Sequence, residues 1–129
     1  MIERHTPPHP VARLYLNQTV ERRRARGLPD NSIRLRLIGD PKLGMTAGAY
    51  NAIVRLTTKS ADGRTLTQTR QLFGPGGHNG KGGDLLVHFG LGDATKAEEI
   101  RIEWQTSRAQ PTVLHDVSPG SHTVRPSSR

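Results

Sequence analysis

The residues best suited to bind a metal or move a proton are six histidines: His5, His9, His78, His88, His115 and His122. Neutral imidazole is a common zinc ligand and titrates near neutral pH. His5 and His9 have the spacing that places two ligands on one helical face, but Pro7-Pro8 between them forbids that helix. The other four are scattered, and solvent-facing or locally bonded imidazoles are the simpler expectation. His115-Asp116 with a serine would suit a hydrolase, yet no Gly-X-Ser-X-Gly elbow exists to present the nucleophile. Glu98, Glu99 and Glu103 read as the charged approach to a strand rather than as a paired-carboxylate site. The absence of cysteine removes disulfides, thiolate metal sites and cysteine nucleophiles together. The expectation is therefore no enzyme activity, no cofactor and no metal.

Two polar segments remain as candidates for binding. Between Gly74 and Gly83 six of ten residues are glycine, which resembles a phosphate cradle. The spacing fails, because Pro75 stands where the leading glycine belongs and Gly82 where Ser or Thr must follow the lysine. The segment is either a lip over a binding surface, offering His78, Asn79 and Lys81, or a plain hairpin loop. The second candidate is basic. The chain carries a formal net charge of +8, and residues 1–36 hold eight Lys/Arg against three acids. Arg22, Arg23, Arg24 and Arg26 form the densest cluster, suited to nucleic acid, anionic lipid or an acidic protein face. No aromatic residue is interleaved for base stacking, so a solvated connector is the plainer expectation.

The elements that must position these residues are short. With 129 residues, fourteen Gly, nine Pro and only five aromatic residues, the chain suits one turn-rich all-β domain with a thin aliphatic core. Arg13-Leu14-Tyr15-Leu16 reads as a strand and residues 20–32 as a linker or long loop. Ile33, Leu35 and Leu37 alternate with Arg34 and Arg36, the period of a half-buried strand. A longer strand runs from Tyr50 through Ala52, Val54 and Leu56, turns at Asp62-Gly63 and returns over 65–73. Leu85, Val87 and Phe89 share one face of the next strand. Residues 93–99 have room for one helical turn before Ile100-Arg101-Ile102-Glu103-Trp104, and short strands over 113–117 and 122–124 close the domain. The expected architecture is a small antiparallel β-sandwich or barrel of seven to eight strands with a long Gly-rich loop. No apolar run is long enough to span a membrane, and the amino terminus has no signal-peptide pattern.

Phe89-Gly90-Leu91-Gly92, followed by Trp104, carries a family resemblance. In order, the chain has a leading strand at 33–37, a Gly-Ala entry into the strand at 48–56, Thr69-Arg70 before a Gly-rich loop, His88-Phe89-Gly90-Leu91-Gly92, then 100–104 and Asp116-Val117. Over residues 31–125 this resembles an ASPIC/UnbV domain. The departures are Gln105-Thr106-Ser107 after the tryptophan, where Pro-Ser-Gly is common, and His78-Asn79 in a loop that often bears Tyr.

Such domains sit at the carboxyl end of FG-GAP/VCBS-type propeller repeats. The resemblance thus implies that 1–19 are a propeller-repeat remnant, 20–30 a basic junction and 126–129 a loose tail. It also implies an extracellular or periplasmic setting, and an accessory module that docks on a β-propeller or larger protein assembly near Tyr15. Two alternatives stay open: a nucleic-acid or polyanion binder using the arginine cluster, and an accessory subunit of a secondary-metabolism enzyme. Phe89 and Trp104 are expected to pack together from neighbouring strands, with Gly90 and Gly92 serving a sharp turn.

Overall fold

A computed structural model describes residues 14–16, 18–27, 31–73 and 86–129. Two sheets carry the fold. One has three strands: β1 (Ser32–Leu37) lies between β4 (Leu86–Gly90) and β8 (Gly120–Val124). The other has four, in the order β3 (Thr65–Gln71), β2 (Ile53–Lys59), β5 (Ala97–Glu103) and β7 (Thr112–Val117). Neither sheet closes on itself, so the all-β sandwich is realised and the barrel is not. Strand β1 pairs antiparallel with β4 and parallel with β8, whereas every pairing in the larger sheet is antiparallel.

Alternation sets which side chains face inward. Ile33, Leu35 and Leu37 of β1 are buried, as are Val54 and Leu56 of β2, Val87 and Phe89 of β4, and Ile100 and Ile102 of β5. A strand's side-chain period is two, so a one-residue slip in β1 would bring Arg34 and Arg36 into this core. Phe89 is its largest fully buried side chain. Trp104, directly after β5, is 3% exposed, and its indole N–H donates to Thr112 Oγ1 at 2.9 Å. It shares the hydrophobic core with Phe89. The two belong to opposite sheets, however, not to the neighbouring strands expected from sequence order.

Several local expectations give way. Residues 14–16 form no strand and pair with none of the described strands. Within the expected linker, Thr19–Ala25 is an α-helix, α1. Its Glu, Arg and Ala are good helix formers, and the arginines of the last turn suit the negative end of the helix dipole. The helical turn expected over 93–99 is absent. Leu91–Ala94 close a tight turn through Ala94 N–H to Leu91 O at 3.1 Å, and β5 already begins at Ala97. Tyr50 lies outside β2, in a turn where its N–H donates to Thr46 Oγ1. The closing residues are not loose: Ser127–Ser128 form β9, paired with Ala109–Gln110 as β6. Leu85 and the Gly-rich stretch 74–83 lie outside the described residues.

Because Phe89 is wholly enclosed between the sheets, Phe89→Ala is expected to lower the unfolding free energy by about 3–5 kcal/mol. Urea denaturation followed by the fluorescence of Trp104, the one tryptophan, measures this directly.

Candidate functional site

Gly90, Leu91 and Gly92 of the Phe-Gly-Leu-Gly motif line a cleft of about 430 Å³. One wall is the β2–β3 turn. There the Asp62 carboxylate accepts from the Ser60 hydroxyl and from Arg64 N–H at 3.2 Å, and pairs with the Arg64 guanidinium at 3.0 Å. The serine hydroxyl, then the Arg64 amide, hold the Asp62 carboxyl below its ordinary range. The other wall is Gly90 to Ala94, fixed at its start by Leu91 N–H to Asn31 O at 2.7 Å. Thr58, Thr65 and Leu66 complete the lining.

The two glycines of the motif have different reasons to be there. Gly92 has φ +61°, a left-handed backbone that side chains strain, so it serves the turn as expected. Gly90 does not. It ends β4 with no left-handed φ, and a Cβ added there would meet nothing within 4 Å. Fold geometry therefore does not require Gly90, and a glycine inside a strand often marks a close approach by a ligand or another backbone. Gly90→Ala is accordingly expected to stabilise the chain by about 0.4–1 kcal/mol, whereas Gly92→Ala should cost about 1–2 kcal/mol. Thermal or urea unfolding of the two variants separates these outcomes.

Beside this cleft, β3 overhangs the smaller sheet. Val54 and Leu56 pair with Arg70 and Gln68, so Leu66, Gln68 and Arg70 occupy the core side of β3. Gln68 Nε2 donates to Gly90 O at 2.7 Å, and the Arg70 guanidinium carbon lies 5.3 Å from the centre of the Phe89 ring. These two side chains join β3 of the larger sheet to β4 of the smaller one. Leu66 is left 58% exposed.

A second cleft, of about 530 Å³, opens between β7 and β8 and is lined by His115, Asp116, His122 and Arg125 among others. His122 stands opposite Leu35 on the inward side of β8, and its Nε2 lies 2.7 Å from Ser118 O. A carbonyl only accepts, so that nitrogen carries the proton and Nδ1 keeps its lone pair when the ring is neutral. Asp116, with φ +53°, binds Lys96 at 2.5 Å. The bond to Lys96 holds the Asp116 carboxyl below its ordinary range, and the same bond raises Lys96.

Among the described residues no group of three His, Asp or Glu converges as a metal set. The strand carboxylates Glu98 and Glu103 have cationic neighbours. Glu103 accepts from Arg55 at 3.2 Å and Arg101 at 3.4 Å, and Glu98 lies 4.0 Å from Lys96.

Asp62 and Asp116 bind protons more weakly in the folded chain than in the unfolded one. Their stabilisation is present above the ordinary carboxylate range and is lost as pH falls through the lowered midpoints. Carboxyl NMR titration should show both midpoints depressed. Lys96→Met should release Asp116 and leave Asp62 unchanged.

The residues expected to bind a partner are not gathered into one site. Tyr15 is 81% exposed, between Leu14 at 84% and Leu16 at 73%. Arg22, Arg24 and Arg26 are exposed and Arg23 half-buried on and just after α1, with Arg22 Nη2 reaching Gln18 Oε1 at 3.5 Å. Arg22 and Arg26, four residues apart, share one side of the helix, and Arg23 and Arg24 turn progressively away from it. His78, Asn79 and Lys81 lie outside the described residues. The cleft residues Ser60, Arg64, Leu66 and Asp93 were not foreseen. Their only sequence signals were the Asp62-Gly63 turn and a glycine inside a strand pattern.

With this geometry in place, the ASPIC and UnbV family model matches residues 44–125. The chain belongs to the ASPIC and UnbV family. No curated protein and no solved structure matches it. The span matched in this ASPIC and UnbV domain omits β1, yet among the described residues β1 is the strand that both β4 and β8 pair with. The folding unit therefore extends upstream to Ser32.

Proposed function

We propose that this chain is a non-catalytic accessory module that docks on a β-propeller or a larger protein assembly. The observation carrying this reading is the run Leu14-Tyr15-Leu16, three large apolar side chains exposed side by side ahead of the sandwich. Contiguous apolar surface of this kind is a mark of partner contact. Domains of this family are associated with FG-GAP repeat proteins, which makes a propeller the partner of choice. Affinity capture from the native source tests it. The chain should recover an FG-GAP repeat protein, and the triple variant Leu14→Asp, Tyr15→Asp, Leu16→Asp should not. Recovery of no such protein, or equal recovery by the variant, overturns the reading.

A second reading, polyanion binding, is favoured by the density of arginine in α1 against one acid, Glu21. Filter binding of double-stranded DNA discriminates the two. The docking module should retain none even at about 50 mM salt. Retention that falls steeply with salt, and disappears in Arg22→Ala, Arg24→Ala, Arg26→Ala, would transfer the conclusion to the arginine cluster.

A further inference from the structure

We infer that the outer edge of β4 at Gly90, with the cleft beside it, receives an extended peptide segment of a partner protein that bears a basic side chain. The inference rests on the reading of the domain as an interaction module, but it uses a different surface from Leu14-Tyr15-Leu16.

Backbone direction comes first. Leu91 N–H donates to Asn31 O, so by antiparallel alternation Phe89 and Val87 also address β1. Gly90, His88 and Leu86 then turn their amides and carbonyls outward. Gln68 approaching Gly90 O from outside agrees with that direction. Among the described residues β4 has no second neighbour in its sheet, and such an edge is a template for an added strand.

Space comes second. A three-stranded sheet faces a four-stranded one, and β3, at the edge of the larger sheet, reaches the smaller one through Gln68 and Arg70 at the end of β4. The core-side Leu66 of β3 is exposed, within the same cleft as Gly90. A strand laid along β4 would cover Leu66, exchanging the Gln68 bond at Gly90 O for a backbone one. Gly90 lies on the outer face between the buried Phe89 and Leu91, so its backbone edge is reached without any side chain to displace.

Charge names the occupant. Of the three charged residues lining the cleft, Arg64 is already bridged to Asp62, and Asp93 makes no ion pair among the described residues. The cleft thus carries a net negative charge on a chain of +8. Lys or Arg on the incoming peptide would meet Asp93, with an adjoining apolar side chain against Leu66 and Leu91.

The test uses the full chain, labelled with 15N, and two blocked synthetic peptides, Lys-Val-Lys-Val-Lys-Val and Glu-Val-Glu-Val-Glu-Val. The lysine peptide should shift the amides of His88, Gly90, Gly92 and Asp93 and slow hydrogen exchange at Gly90 and His88. The glutamate peptide should bind roughly tenfold more weakly or worse, a difference of about 1.4 kcal/mol. Asp93→Asn should narrow that gap. Leu66→Lys, which puts a cation where the peptide would rest, should abolish the shifts while keeping the Trp104 fluorescence and the unfolding midpoint of the unaltered chain. No shift at β4 up to about 1 mM peptide, shifts centred on β7–β8 or α1, equal binding of both peptides, or full binding by Leu66→Lys would each overturn the inference. Failure of propeller capture by the chain leaves this measurement unaffected, so the two outcomes are distinguishable.

Discussion

The pairing of β1 with two strands at once is the constraint on which the smaller sheet depends. β4 and β8 are not paired with each other, and among the described residues the strand each pairs with is β1. That strand has six residues, and its inward side is Ile33, Leu35 and Leu37. Burial of these three against the larger sheet fixes register, and register in turn decides which amides of β4 are spent on β1 and which look outward. The cleft, the exposed Leu66 and the capped carbonyl of Gly90 all follow from that register and from an uneven count of strands.

Much of the architecture was legible because it rests on period-two alternation. Val54 and Leu56, Val87 and Phe89, and Ile100 and Ile102 were readable as inward pairs from spacing alone, since a half-buried strand has no other way to write itself. The failures have physical causes. Alternation says which face is buried but not which strands are neighbours, so Phe89 and Trp104 were joined within a sheet although the core joins them across two. Polar, arginine-rich residues 19–25 looked like a connector because no apolar stripe marks them, whereas helix propensity needs no such stripe. Tyr15 and its flanking leucines alternate with nothing and are simply exposed. Ser127 and Ser128 gain their pairing from Ala109 and Gln110, a relation invisible at that separation.

The candidate site was harder to read than the fold, and Gly90 shows why. In sequence, Gly90 and Gly92 are the same residue two positions apart, and both were assigned to one turn. Only backbone angles and the space around each Cα separate a glycine demanded by a turn from one that leaves a strand end bare. Asp62 and Asp93 likewise lie far apart in the chain, and only the packing of the β2–β3 turn against the end of β4 brings them to one cleft.

The parallel contact between β1 and β8 joins Ile33 to Gly120, one of the most distant pairings the chain makes, whereas the four-stranded sheet is drawn wholly from residues 53–117. Contacts of such long separation are slow to form, because the intervening chain must surrender its freedom before they reward it. On a ribosome the order is stricter. The larger sheet can assemble while synthesis is under way, but β1 must wait for Val124 to emerge before both of its edges are satisfied. Until then its row of Ile33, Leu35 and Leu37 has only β4 beside it, and a nascent chain stalled at this stage would be the form most in need of a chaperone.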